Sequence, residues 1–241
     1  MRQHSSGFFI GIAASIILGF GVVAGVFLGL GSIGGLGYDP AVLQAAKTGP
    51  NAAELDLSTY PNSNVCHADA PVPEINWVTY CASTTNVQGT NLEVPPNSLI
   101  TVVIKQYDTP TGLLNDFFQT VQGTVGGVAM YNNKPMSQIN AADVAHTFSI
   151  QSQPDETNPI FVSVPLLGVP ATAPSNQTIN GNSYPTPNVI SFQFNTGPAG
   201  HVYIWHCYVP CGSASGIAPF GFSGPMSATG YMAGMITVSN Y

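Results

Sequence analysis

The stretch Cys207-Tyr208-Val209-Pro210-Cys211-Gly212, followed downstream by Gly230-Tyr231-Met232-Ala233-Gly234-Met235-Ile236-Thr237-Val238, decides how the rest of the chain is read. Two thiols with three residues between them, then a methionine at the entry to a strand, offer the soft sulfur donors that a redox-active metal such as copper prefers. Far upstream, Ala145-His146-Thr147-Phe148-Ser149-Ile150 adds an imidazole beside another β-rich run. Directly before the first thiol the polarity alternates. His201, Tyr203, Trp205 and Cys207 fall on one face of a strand, and Val202, Ile204 and His206 on the other. His206 therefore points away from anything that Cys207 binds, and His201 lies about 20 Å back along the strand. Both are read as residues that cap or flank the strand.

Beyond this loop, short β-rich runs separated by turn residues continue back to Glu74. They are Ile75 to Tyr80, Leu99 to Tyr107, Thr147 to Gln151, Ile160 to Pro165, Val189 to Phe194, His201 to Cys207 and Met232 to Val238. Together with 26 glycines and 20 prolines they predict an all-β sandwich over 74–241. The stretch Asn115 to Asn140 is longer than an ordinary connection, as functional or partner-binding loops are. Residues 38–73 are rich in Pro, Asn and Ala, with no sustained period apart from a helix-like stretch at Ala41 to Ala46, and are read as a linker. Asn176-Gln177-Thr178 is a glycosylation sequon on a polar loop.

The N-terminal part, 1–37, is different in kind. No charged residue occurs from Gly7 to Gly37, and Phe8 to Leu36 is almost entirely apolar. A membrane span needs about 20 such residues, whereas the apolar region of a cleaved signal is shorter. An uncleaved transmembrane helix is expected. Arg2 before it and mostly acidic residues after it place the N-terminus inside and the domain on the exterior face of the cell membrane. Gly21, Gly25 and Gly29 recur every four residues and leave one helix face open to a neighbouring membrane helix.

Only 6% of residues are charged, against roughly a quarter in an ordinary soluble protein. Four of them are basic and eleven acidic, which excludes a nucleic-acid partner, since phosphate binding needs clustered Lys and Arg. No Ser or Cys nucleophile is accompanied by a His and acid arrangement, so a catalytic site of its own is not expected. Cys66 and Cys81 flank a Pro-containing turn with no neighbouring ligand except His67, and are read as a structural disulfide, with His67 a solvated loop residue.

The combined pattern resembles the cupredoxin superfamily, and specifically the copper domain of cytochrome c oxidase subunit II. In that family a histidine follows an early core strand, and the C-terminal loop reads Cys, three residues, Cys, three residues, His, two residues, Met. On this resemblance the fold is a cupredoxin-like Greek-key sandwich behind one N-terminal transmembrane helix, and the cofactor is copper. His146, Cys207, Cys211 and Met232 would be its ligands, with the Val209 carbonyl approaching it. The implied role is electron transport as a subunit of a respiratory terminal oxidase, partnered by integral-membrane haem-containing subunits through Gly21, Gly25 and Gly29. The chain departs from the family in its loop. Twenty residues separate Cys211 from Met232 where the family has six, no histidine lies among them, and Thr229 stands at the imidazole position. A dinuclear centre with two histidines cannot be assembled in the family's way. Three alternatives stay open. One is a mononuclear site of His146, Cys207 and Met232 with Cys211 or Met226. The second is a metal-free domain closed by a Cys207–Cys211 disulfide, which would make the chain a structural subunit, while an independent exterior copper-binding protein is a separate alternative role. The third is a ligand supplied by a partner.

A surface with so few ionisable groups changes little in charge as pH falls, which suits an acidic exterior. Denaturation followed from pH 7 down to pH 2 is expected to show only a shallow decline in stability, and steep acid unfolding would contradict it.

Overall fold

The computed structural model describes residues 42–66, 77–86, 89–112, 114–153, 159–209 and 225–241, all within one compact unit. Two sheets face each other. The first has the order β1 (Val42–Gln44), β5 (Asn91–Val94), β15 (Ala233–Val238), β14 (Val202–His206), β9 (Val144–Ser152), β10 (Phe161–Leu167). The second runs β2 (Ala46–Gly49), β3 (Ala52–Tyr60), β6 (Leu99–Gln106), β13 (Asn188–Asn195), β7 (Ala129–Tyr131), β8 (Lys134–Met136), with β4 (Thr79–Ala82) beside β3. A separate hairpin joins β11 (Ser175–Ile179) to β12 (Asn182–Pro185). The chain changes sheet repeatedly, and three pairings are parallel: β1 with β5, β5 with β15 and β3 with β6. This is the all-β sandwich that the sequence predicts.

Alternation explains which face each strand buries. In β6, Ile100, Val102, Ile104 and Gln106 are fully buried while their neighbours are half-exposed. The inner residues Leu55 and Leu57 of β3, Phe192 and Phe194 of β13, Phe148 and Ile150 of β9, and Tyr203 and Trp205 of β14 join them in one core. Trp205 is its largest member. It stacks on Phe148 at 4.7 Å between ring centroids and meets Tyr80 edge-on at 5.0 Å. A buried indole N–H needs an acceptor, and Nε1 donates to the Thr90 carbonyl at 2.7 Å. That contact explains the glycine in the opening motif. A Cβ on Gly234 would lie 1.8 Å from the Thr90 oxygen, so no larger residue fits opposite Trp205 in β15.

The expected linker 38–73 is not one in its described part. Residues 42–60 supply β1, β2 and the nine-residue β3, which lies between β2 and β6 and pairs along its length with β6. The described part of the helix-like stretch, 42–46, is extended for the same reason: its residues pair with β5 and β3. The stretch from Asn115 to Asn140 is likewise structured, with a short helix at Asp116–Gln119 and the hairpin of β7 and β8. Residues 8–36, expected to span a membrane, lie outside the described residues. Among the described residues no helix is long and apolar enough to cross one.

A second, smaller cluster covers the outer face of the second sheet. Cys66 and Cys81 are joined in a disulfide, as expected, next to Tyr60, Tyr107 and Tyr184. Tyr60 stacks on Tyr107 at 4.8 Å, Tyr184 leans on both, and burial pushes the Tyr60 phenol up to about 12. The bridge closes a segment with a sequence separation of 15. Replacing both cysteines by serine is expected to lower stability by about 3 kcal/mol, the loop-closure value for that length. Urea denaturation of the double variant checks it, and an unchanged midpoint would refute it.

Candidate metal centre

Three adjacent strands end at the same edge of the first sheet. The β14–β15 register sets His206 against Ala233, so the next residues, Cys207 and Met232, stand opposite each other, and the Cys207 N–H donates to the Met232 carbonyl at 2.9 Å. On the other side, the β14–β9 register sets His206 against Ser149, which brings Cys207 beside the start of β9. The Thr147 N–H donates to Cys207 Sγ at 3.4 Å, and His146 Nδ1 lies 4.0 Å from the same sulfur. All of His146, Thr147, Cys207 and Met232 are buried.

The loop after the thiol is clamped by hydroxyls. The Tyr208 N–H donates to Thr147 Oγ1 at 2.8 Å, Ser149 Oγ also donates to that oxygen, and Ser149 pairs with Ser163 at 2.9 Å. The chain then turns so that the Val209 carbonyl lies 3.4 Å from Cys207 Sγ and accepts from the thiol. Met226, also buried, sits in the turn Pro225–Ser227, whose Pro225 carbonyl accepts the Met232 N–H at 3.0 Å. His206 turns away as the alternation requires, resting on Tyr208 at 4.3 Å between ring centroids. His201 lies beside Tyr203 near the far end of β14. Cys211, and with it the proposed Cys207–Cys211 disulfide, falls outside the described residues, as does His67. Thr229, at the position of the family's second imidazole, sits in a bridge to Ala233.

Sequence reasoning missed two residues. Thr147 supplies both the N–H on the sulfur and the hydroxyl under Tyr208. Asp108, just past the end of β6, places Oδ2 at 2.9 Å from His146 Nε2. Among the described residues no three His, Cys, Asp or Glu side chains are grouped to share one ion. An ion held by His146 and Cys207 would therefore draw on the thioether of Met232, which stands opposite the thiol. Imidazole, thiolate and thioether together form a soft donor set suited to copper, and most of all to Cu(I).

No protein-family model matches the chain, and no curated protein matches it. Solved structures do. The copper protein rusticyanin is similar at 11% identity and a TM-score of 0.35, covering 82% of each chain. Rusticyanin from Thiobacillus ferrooxidans gives 12% identity, 84% of each chain and a TM-score of 0.35. The copper-containing nitrite reductase of Thermus scotoductus SA-01 gives 10% identity and a TM-score of 0.26 over 85% of this chain and 32% of its own. Likenesses this distant carry no argument by themselves, and the case for a metal centre rests on the residues above.

The electrostatics favour a charged pair in the metal-free protein. Burial alone would lower the His146 pKa, but the hydrogen bond and charge of Asp108 and the neighbouring Cys207 outweigh it and raise it to about 9. Burial likewise works to raise Asp108, yet the hydrogen bond and charge of His146 and the N–H of Thr109 hold it below the usual carboxylate range. A folded pKa above the ordinary 6.5 means that the His146 contribution is complete below that value and lost as pH rises through about 9. Metal-free protein is therefore expected to lose stability between pH 6.5 and 9, and His146→Gln to lose this slope. Melting temperatures across that range check both.

Proposed function

We propose that the chain is a cupredoxin that holds one copper ion with His146, Cys207 and Met232, and that it serves one-electron transfer on the exterior face of a membrane. The observation that carries this reading is the buried approach of His146 Nδ1 to Cys207 Sγ at 4.0 Å, with Met232 opposite the same thiol. Bound copper would supply a centre that changes oxidation state by one electron. The rest falls to the protein's own groups. Thr147 N–H polarises the sulfur, the Thr147 and Ser149 hydroxyls keep the loop in place, and burial keeps water from the donors. Rigid support of this kind lets a site hold both oxidation states with little rearrangement.

The missing second imidazole favours a mononuclear centre over a dinuclear one. Membership of a respiratory terminal oxidase is the finer part of the proposal, supported by the apolar stretch 8–36 and its glycine face, through which the chain would meet an integral-membrane haem-containing subunit. Copper titration followed by visible absorption tests the core of the reading. A thiolate-to-copper band at one equivalent, abolished in Cys207→Ser and weakened or shifted in Met232→Leu, is expected. Absence of any band with Cu(II), together with no uptake of Cu(I) in a chelator competition, would overturn it in favour of a metal-free structural role.

A further inference from the structure

We propose that Asp108 is a positioning residue for this centre: its carboxylate locks the His146 ring with Nδ1 toward Cys207 and strengthens the one imidazole the site has. The consequence for copper rests on the reading above, whereas the locking itself does not.

Asp108 is well placed to hold something else still, because it is itself held. Its Oδ1 accepts the Thr109 N–H at 2.7 Å, and its backbone carbonyl accepts the Val169 N–H at 2.8 Å. That leaves Oδ2 for His146 Nε2 at 2.9 Å. An ionised carboxylate can only accept, so the ring nitrogen facing it must carry the proton. In the neutral ring, then, Nδ1 is the nitrogen with a lone pair, and it is the one facing the thiol. His146 is 1% exposed, so water does not compete for either nitrogen. The surroundings of Asp108 are polar as well. Gln106 Nε2 reaches its carbonyl at 3.5 Å, and Gln106 lies in register with Thr59 on the paired strand. Gln106 Oε1 and Thr59 Oγ1 are buried oxygens with no protein partner, so the core beneath Asp108 ends in polar atoms rather than in packed hydrocarbon.

A carboxylate behind a ligating histidine fixes its tautomer and raises its basicity, and losing it costs about 10- to 100-fold in metal affinity. Here the effect has greater weight, since residues 208–241 contain no histidine to share the load.

Two variants separate geometry from charge. Asp108→Asn keeps the shape and an acceptor oxygen but removes the charge, and Asp108→Ala removes both. In metal-free protein at neutral pH, the His146 Nε2–H resonance should be slow to exchange in wild type and in Asp108→Asn, and lost to rapid exchange in Asp108→Ala. Cu(I) affinity by chelator competition should fall about 10- to 100-fold in Asp108→Ala and by less in Asp108→Asn. An unchanged Nε2–H signal in Asp108→Ala overturns the locking, and wild-type affinity in both variants overturns the strengthening. Wild type that takes up no copper, while its ring signal responds as described, sinks the copper reading and leaves the locking supported.

Discussion

Strand β14 has one admissible register, and the candidate centre depends on it. Trp205 is the largest buried side chain, and its indole N–H is satisfied only by the Thr90 carbonyl. Sliding β14 by a single residue would carry Tyr203 and Trp205 out of the core and strand that N–H, an error costing several kcal/mol through lost burial alone. With Trp205 fixed, Cys207 is fixed two residues on, on the same face, at the edge where β9 begins and β15 starts. Gly234 is part of the same constraint. Only a residue without a Cβ lets β15 pass the Thr90 carbonyl, and that passage puts Met232 opposite Cys207.

A buried ion pair at the rim of a hydrophobic core needs a reason, because desolvating both charges usually cancels their attraction. Here each partner has further support. Asp108 takes two backbone N–H groups besides His146, one on its carboxylate and one on its carbonyl, and keeps partial contact with solvent. His146 is enclosed, with the thiol on its other side. An apolar pair of equal volume would pack as well, so the arrangement is better explained by what the ring must present than by stability. The disulfide cluster on the opposite sheet contributes in the other sense. It ties β4 to the segment after β3 among tyrosines, on the sheet opposite His146 and Cys207.

How much of this was legible in the sequence follows from the period of each element. Strands β6, β13 and β14 alternate cleanly and bury one face, so their runs and even the direction of His206 could be read directly. That Cys207, Met232 and His146 share a neighbourhood was suggested by their donor chemistry, and the strand registers bring these three together. Strands β1 to β3 were not. The first two are short and largely exposed, and β3 reads Ala-Ala-Glu-Leu-Asp-Leu-Ser-Thr-Tyr, where Ala, Glu and Asp, all poor strand formers, mask an inner face of Ala53, Leu55, Leu57 and Thr59. Asp108 could not be found either. It is 38 residues from His146 in sequence, and only the meeting of the two sheets brings them together. Nothing local distinguishes it from the other acids.

The long connection between Cys211 and Met232 gains a physical meaning from the fold. A loop that adds residues between Cys211 and Met232 could have displaced the methionine, yet the pairing of β14 with β15 holds it opposite the thiol whatever the loop's length. Sheet register therefore holds Cys207, Met232 and His146 together, each on a strand or at its end. Among the described residues His146 is the imidazole beside the thiol, and Thr229 sits in a bridge to Ala233. A centre built from strand-borne donors would be rigid but poor in nitrogen, and so biased toward the reduced ion. The carboxylate behind His146 would oppose that bias by holding negative charge against the imidazole.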